Sequence, residues 1–273
     1  MPDPAENFVD HLLLRCKPIG KPFVYEEAGT ISLHFDIEAT QSLMRLDDPY
    51  QLSLGYTRTM MGFLLLTDIP QSMVMIGLGG GSLPKFCFRH LPETDITVVE
   101  INPEVIALRQ QFHIPDDDMR FRVVCEDGAD YVCRQDASVD VLLVDGFDHE
   151  GQCPELAAPS FYQGCHDALR VGGVMVVNLL GSDLLREVYI ARIQRVFGNL
   201  VLIVDAERGA NVVVFAIKAD KPRLGKARLA KRAQVMASRC GISFQHVLAG
   251  LHRQLWPLDE IPQPAPAQPG AGC

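Results

Sequence analysis

A cluster of glycines followed by an acidic residue has the composition and spacing of a nucleoside-binding site. The apolar run at 73–76 leads directly into Gly77-Leu-Gly-Gly-Gly-Ser82. Glycine lets the backbone turn sharply and approach a ligand closely, because it carries no Cβ. A second apolar run ends in Glu100, and a carboxylate at the tip of this strand can accept both hydroxyls of a ribose. The glycines predicted to contact the nucleoside are Gly77, Gly79, Gly80 and Gly81.

Three more carboxylates follow later apolar runs. Asp127, in Cys125-Glu-Asp-Gly128, can accept a hydrogen bond from the adenine amine or cap a helix, and both roles are compatible. Asp145 and Asp148 follow the run at 139–144, where ligands of an open α/β sheet bind. An ammonium must lose a proton before it attacks an electrophile, so a carboxylate here favours amine chemistry. Asx turns are the structural alternative for these two aspartates.

Alternating strands and helices are predicted to position these residues. The predicted strands lie at 73–77, 96–101, 120–124, 139–145, 172–179, 199–204 and 211–217. The predicted helices lie at 82–91, 103–112, 127–134, 159–170 and 182–197. This order predicts an α/β, Rossmann-like, mostly parallel sheet, and the last two strands form an antiparallel edge hairpin.

We predict three regions along the chain. Residues 1–70 form a small β region, with alternating strands near 23–27 and 30–37, followed by a helix that opens at Asp47-Asp-Pro49 and stops at Pro70. Residues 71–256 form the nucleoside-binding domain. The tail, 257–273, is rich in Pro, Ala, Gln and Gly and is predicted to be disordered.

Composition limits the classes of function. The chain has 273 residues and a formal net charge of -9, which disfavours a general nucleic-acid binder. The basic segment at 218–239 lacks interleaved aromatic residues and is interpreted as a solvated helix face. No signal peptide or membrane span is indicated, and the eight cysteines form no C-x-x-C pair, so we expect free thiols and a cytoplasmic location. The histidines have no metal-ligand spacing, so no metal is expected.

These motifs resemble the spermidine synthase (polyamine aminopropyltransferase) family, which is built on the fold of the AdoMet-dependent methyltransferases. The family's blocks read G-G-G-D-G-G, V-E-I-D, G-D-G-F, D-S-S-D-P and F-Y. The corresponding blocks here are Gly77-Leu-Gly-Gly-Gly-Ser82, Val99-Glu-Ile-Asn102, Glu126-Asp-Gly-Ala129, Asp145-Gly-Phe-Asp-His149 and Phe161-Tyr162. The similarity spans about residues 30–217.

The resemblance implies a role for each matching residue. Glu100 would hold the ribose, Asp127 the adenine edge and Asp145 the incoming amine, as the catalytic residue. Asp148 would bind the far part of the amine. Gln41, in Thr40-Gln-Ser42, would lie near the thionucleoside. The family's Tyr-His-Glu segment after the first helix is replaced here by Leu54-Gly-Tyr-Thr-Arg58, in which Tyr56 is the expected substrate contact.

Two further departures from the family pattern bear on the substrate. Gly80 stands where the family has the loop aspartate that grips the aminopropyl ammonium, and His149 replaces the proline after Asp148. Loss of that aspartate should weaken binding of decarboxylated AdoMet and relax the exclusion of AdoMet. The expected co-substrate is therefore decarboxylated AdoMet or AdoMet.

The resemblance implies transfer of an aminopropyl group to a small-molecule amine, with a possible homodimer and no nucleic-acid or membrane partner. Three alternatives use the same fold. An AdoMet-dependent methyltransferase is favoured by the missing loop aspartate, and a non-catalytic nucleoside-binding homologue by the altered amine pocket. A nicotinamide oxidoreductase is the third, and the acidic residues at 145 and 148 count against it.

Overall fold

The computed structural model describes residues 21–35, 40–147, 151–219 and 225–256. The first strands form a small antiparallel sheet in the order β1-β2-β3. Its strands are β1 (Phe23–Glu27), β2 (Thr30–His34) and β3 (Thr40–Arg45). The predicted N-terminal β region is thus confirmed, with a third strand that alternation had not indicated. That strand carries Gln41 and Ser42 toward the larger sheet.

The predicted helix from Asp47 was wrong in its first half. Helix α1 spans Gly55–Met60, and after a break at Met61 and Gly62, α2 spans Phe63–Leu66. The aspartates stabilise a turn instead, because Arg45 binds Asp47 and the Asp48 carboxylate accepts the Tyr50 N–H at 3.3 Å.

The chain then forms a seven-stranded sheet in the order β6-β5-β4-β7-β8-β10-β9. The strands are β4 (Ser72–Ile76), β5 (Asp95–Glu100), β6 (Phe121–Cys125), β7 (Val139–Val144), β8 (Leu169–Leu179), β9 (Val201–Asp205) and β10 (Val212–Ile217). The first five strands are parallel, whereas β10 runs antiparallel to both β8 and β9. The predicted mostly parallel sheet and its edge hairpin are confirmed.

Helices cover both faces of this sheet. They are α3 (Ser82–His90), α4 (Pro103–Ile106), α5 (Gly128–Cys133), α6 (Pro159–Ala168), α7 (Arg186–Phe197), α8 (Lys226–Cys240) and α9 (Gln245–Leu255), with a 3₁₀ turn at Glu155–Ala157. The predicted helix at 103–112 is shorter than expected, since regular helix ends at Ile106 and turns follow. The predicted helix at 182–197 begins later, at Arg186.

Alternate residues of β4 enter two separate cores. Met73 and Met75 pack in one apolar cluster, while Val74 and Ile76 pack in the other, on the opposite face of the sheet. Both faces of a parallel strand are covered by helices, so its sequence is continuously apolar rather than alternating. This burial fixes the carboxyl end of β4, from which the glycine loop departs.

The basic segment lies partly on the solvated face of α8, where four of its members are exposed, whereas two others are outside the described residues. The exposed members are Lys226, Arg228, Lys231 and Arg239. Arg232 and Arg228 lie near Asp68, and Arg239 donates to the His90 carbonyl at 2.9 Å. Leu229 is buried on the opposite face. Within the described ranges no helix is long and apolar enough to cross a membrane, and the predicted disordered tail lies outside them.

Lys85 of α3 is a buried cation. Its side chain has no solvent exposure, and Nζ donates to the Phe112 carbonyl at 2.6 Å and approaches the Met44 sulfur at 3.1 Å. Burial lowers the pKa of Lys85 from its ordinary value of 10.5 to about 8. Below pH 8 the charge is therefore carried inside the protein at a cost of up to about 3 kcal/mol relative to water.

We expect Lys85→Met to show this cost as a pH-dependent difference. Between about pH 8 and 10.5 the native lysine releases its proton while the unfolded one keeps it, so the wild type gains stability as pH rises. The free energy of unfolding of the wild type, minus that of the variant, should then rise by about 2–3 kcal/mol from pH 7.5 to 10.5. Urea titrations across this range measure it, and a constant difference would contradict the prediction.

Candidate active site

The carboxyl ends of β4 and β7 open into a cavity of about 750 Å³. The chain runs outward from β4 to β5 and β6, then returns to the other side of β4 as β7. Ligands of open α/β sheets bind at such a reversal of strand order. Seven of the predicted site residues line this cavity: Gln41, Tyr56, Gly77, Gly79, Glu100, Asp127 and Asp145. Gly80 and Gly81 are not among its lining residues, and Asp148 lies outside the described ranges.

Gly77 forms the sharp turn out of β4. Its φ is +95°, and its N–H donates to the Val99 carbonyl at 2.8 Å. A Cβ at this position would lie 2.2 Å from the Asp145 carbonyl oxygen. Glycine is therefore required both for the backbone conformation and for the close approach of the two strand ends.

Gly80 is buried in a packed region and is not among the residues that line the cavity. A Cβ there would lie 2.6 Å from the Ser42 hydroxyl and 2.8 Å from the Phe112 ring. An aspartate could not be accommodated unless β3 or the 112 region moved. The packing around Gly80 thus fits a glycine and leaves no space for the aspartate of the family pattern. A nucleoside contact by the backbone of Gly80 or Gly81 stays a prediction.

Glu100 connects the end of β5 to the glycine loop. Its Oε2 accepts the Leu78 N–H and its Oε1 accepts the Asn102 N–H, both at 2.9 Å. Burial raises the pKa of this carboxyl, and these backbone donors oppose the shift. Each carboxylate oxygen can accept more than one hydrogen bond, so capacity remains for two ribose hydroxyls.

We expect Glu100→Gln to weaken nucleoside binding by about 10- to 100-fold, because a charged hydrogen bond to ribose is replaced by a neutral one. Calorimetric titration with methylthioadenosine measures the change. Glu104→Gln is the matched control, since Glu104 is exposed and outside the cavity. Equal affinities for Glu100→Gln and wild type would place the nucleoside elsewhere.

Asp145 is held by two side-chain donors. Tyr56 Oη donates to Oδ2 at 3.1 Å, and Asn178 Nδ2 donates to Oδ1 at 2.8 Å. Burial raises the pKa of Asp145, while these two hydrogen bonds lower it. The pKa of Tyr56 is also raised, first by burial and then by the Asp145 charge, so its hydroxyl stays protonated and donates. The result is an oriented carboxylate of increased basicity.

Asn178 and Asn211 were missed by the sequence reasoning. Asn178 is 2% exposed, and its Oδ1 accepts a hydrogen bond from Asn211 Nδ2 at 2.9 Å. Asn211 thus orients Asn178, and Asn178 orients the Asp145 carboxylate. An available signal was the single amide near the end of the apolar run Val174-Met-Val-Val-Asn-Leu179. A polar side chain in a fully buried strand needs a partner, and Asp145 is that partner.

Asp127 acts as the N-cap of α5. Its carboxylate accepts the Ala129 N–H at 2.7 Å and the Asp130 N–H at 3.4 Å. The capping interpretation is confirmed, and the adenine contact stays a prediction for this cavity-lining residue. Within the described ranges, no group of three or more His, Cys, Asp or Glu side chains is arranged to hold a metal ion.

Comparison with known proteins identifies the family. A model of the spermine/spermidine synthase domain matches residues 53–207. A polyamine aminopropyltransferase of Neisseria meningitidis serogroup A is 38% identical over 247 residues, which cover 88% of this chain and 94% of that protein. The chain belongs to the spermine/spermidine synthase family. The resemblance seen in the sequence motifs is confirmed, and the chain is a transferase, as is the polyamine aminopropyltransferase that it matches.

Solved structures confirm the fold of this spermine/spermidine synthase family member. A probable spermidine synthase from Corynebacterium glutamicum has a TM-score of 0.65 at 18% identity, covering 82% of this chain and 87% of that one. Human methyltransferase-like protein 13 in complex with SAH has a TM-score of 0.62 at 26% identity, covering 69% and 93%. The methyltransferase-type fold predicted from the sequence is therefore present.

Proposed function

We propose that the chain transfers an aminopropyl group from decarboxylated AdoMet to an amine. The amine nitrogen attacks the methylene carbon next to the sulfonium, and a C–N bond forms. The C–S bond breaks, its electron pair returns to sulfur, and methylthioadenosine leaves. The proton lost by the amine passes to Asp145. Family membership and the curated aminopropyltransferase relative support this reaction.

The position of Asp145 carries the proposal. Its carboxylate lies in the cavity, oriented by Tyr56 and Asn178 at 3.1 and 2.8 Å. A buried carboxylate is a stronger proton acceptor than a solvated one, because burial disfavours its charged form. An amine substrate held against Asp145 would also be aligned with the reacting carbon of the donor. Such alignment lowers the activation barrier of the transfer.

The donor is proposed to bind in the other half of the cavity. Glu100 would accept the ribose hydroxyls, with Gly77 and Gly79 against the nucleoside and Asp127 at the adenine edge. Gln41, which lines the cavity from β3, would contact the thionucleoside. Asp148, proposed for the far end of the amine, follows the Asp145 loop in sequence.

Methyl transfer from AdoMet is the second candidate, and the packing at Gly80 favours it. The loop has no room for the carboxylate that would grip an aminopropyl ammonium and repel the carboxylate of AdoMet. The similarity to a human methyltransferase-like protein in complex with SAH is consistent with this candidate.

Calorimetric titration with decarboxylated AdoMet, AdoMet and methylthioadenosine distinguishes the two candidates. The proposal expects decarboxylated AdoMet to bind more tightly than AdoMet, and methylthioadenosine to be released when an amine is added. Tighter binding of AdoMet, with SAH as the product, would establish methyl transfer instead. No binding of any of the three to the folded protein would remove both.

A further inference from the structure

Arg208 is a cavity-lining cation that the proposed reaction does not use. It lies in the turn between β9 and β10 and lines the same cavity as Asp145. Its φ is +71°, a left-handed conformation that few residues other than glycine adopt. Such strain is maintained only where the surrounding structure imposes it, and it is concentrated at functional sites.

The surrounding structure does hold this turn. The Glu207 N–H donates to the Thr59 hydroxyl at 2.9 Å, and Arg58 Nε binds the Glu207 carboxylate at 2.7 Å. A Cβ at Gly55 would lie 1.5 Å from the Glu207 carbonyl oxygen, so α1 packs directly on the turn. On the other side, a Cβ at Gly181 would lie 1.5 Å from the Ala210 carbonyl oxygen.

The Arg208 guanidinium is nevertheless unpaired within the described ranges. It makes no hydrogen bond, ion pair or ring contact there, and the neighbouring Glu207 is already bound to Arg58. The turn therefore presents a fixed backbone and an available cation at the edge of the cavity. Arginine binds carboxylates through paired, charge-assisted hydrogen bonds.

The other charged residues lining the cavity are acidic, and they fall into two groups. Glu100 and Asp127 accept hydrogen bonds from backbone N–H groups at the donor end. Asp145 and Glu155 line the cavity too, and Glu155 is exposed without a partner in the described part of the chain. The carboxylates of Asp145 and Glu155 can bind two ammonium groups of a substrate. Arg208 is positively charged and would repel an ammonium group.

The geometry points to an acceptor that carries a carboxylate as well as its amines, in the class of α,ω-diamino acids. Arg208 binds the carboxylate, Asp145 receives the ammonium group that reacts, and Glu155 receives the second ammonium group in addition to the contact proposed for Asp148. Asn211, on the same hairpin, connects this end of the cavity to Asp145 through Asn178. This inference rests on the proposed aminopropyl transfer and names its acceptor. A carboxylate on the donor, as in AdoMet, is the other ligand that the same arginine could bind.

Two matched pairs of acceptors test the inference, since each pair differs only in one carboxylate: ornithine against 1,4-diaminobutane, and lysine against 1,5-diaminopentane. Calorimetry on the full chain saturated with methylthioadenosine measures their binding without turnover. We expect the wild type to bind each amino acid about 10- to 100-fold more tightly than its diamine. Arg208→Gln should abolish this preference, and Arg208→Lys should restore part of it.

A control variant and two further measurements separate the outcomes. Arg195→Gln, an exposed arginine outside the cavity, should retain the wild-type preference. Equal binding of amino acid and diamine by the wild type, or an unchanged preference in Arg208→Gln, would overturn the inference. A change only in the preference for AdoMet over decarboxylated AdoMet would assign Arg208 to the donor and also overturn it. Release of methylthioadenosine from decarboxylated AdoMet is scored separately, because its absence would overturn the proposed function whichever acceptor binds.

Discussion

Asp145→Asn is expected to lower kcat by about 100- to 10,000-fold, the usual contribution of a positioned proton acceptor. The amide is nearly isosteric with the carboxylate, and its oxygen can still accept from Asn178. It cannot take a proton from the attacking amine, so the loss should fall on turnover. Methylthioadenosine release from decarboxylated AdoMet with saturating acceptor measures it.

Binding data determine whether this loss is chemical. Because Asp145 lies at the acceptor end, methylthioadenosine should bind Asp145→Asn within about threefold of the wild-type affinity, a difference of less than 1 kcal/mol. Asp136→Asn is the matched control, an exposed aspartate ahead of β7 and outside the cavity. Unchanged kcat in Asp145→Asn would exclude Asp145 as the proton acceptor, and lost nucleoside binding would indicate a disrupted loop instead.

Sequence patterns were sufficient where one residue's chemistry determined the local structure. The apolar runs predicted each strand of the large sheet to within a few residues. Strands such as β4, β7 and β10 are buried on both faces, which leaves little choice of side chain. The glycine loop was predicted because clustered glycines after an apolar run indicate a turn at positive φ, which the structure shows. Glu100 was predicted because a carboxylate directly follows an apolar run, and it ends β5. N-capping by Asp127 was one of the two roles that the sequence indicated for it, and the structure shows this cap.

What the sequence did not predict depends on contacts between distant segments. Asn178 and Asn211 bind each other only because β8 and β10 pair, and Asp145 receives Asn178 only because β7 lies beside β8. The helix expected from Asp47 failed for a similar reason, since residues 46–54 form bends and a turn, and Arg58 of α1 binds the Leu52 carbonyl of that segment. Local propensity contains no information about such partners.

The adaptation around Gly80 also required the structure. The sequence showed a missing aspartate, but only the fold shows that Ser42 and Phe112 occupy the space where its side chain would begin. An isolated substitution would leave a gap, whereas here the neighbouring segments close over the glycine. The packing around Gly80 therefore fits the missing aspartate on the donor side of the cavity, and the substrate has to be argued from the charged side chains that line the cavity, including Arg208.

Gly77→Ala is expected to destabilise the fold and to abolish nucleoside binding, because Gly77 lies where the end of β4 closely approaches the end of β7. An alanine at φ +95° is strained by about 1–3 kcal/mol. Its methyl group would also lie 2.2 Å from the Asp145 carbonyl oxygen, a backbone atom that cannot rotate away. Together these effects should lower the free energy of unfolding by about 4 kcal/mol, near the upper end for one substitution. Urea denaturation measures it.

Gly241→Ala separates backbone strain from the overlap with Asp145. Gly241 ends α8 at φ +69°, and a Cβ there would meet nothing within 4 Å. This control should cost only about 1 kcal/mol and leave methylthioadenosine binding unchanged. If both variants lost the same stability, overlap between β4 and β7 would be excluded as a constraint, and the loop would need glycine for its turn alone. A larger loss in Gly77→Ala, together with lost binding, would show that the close approach of the two strand ends builds the site.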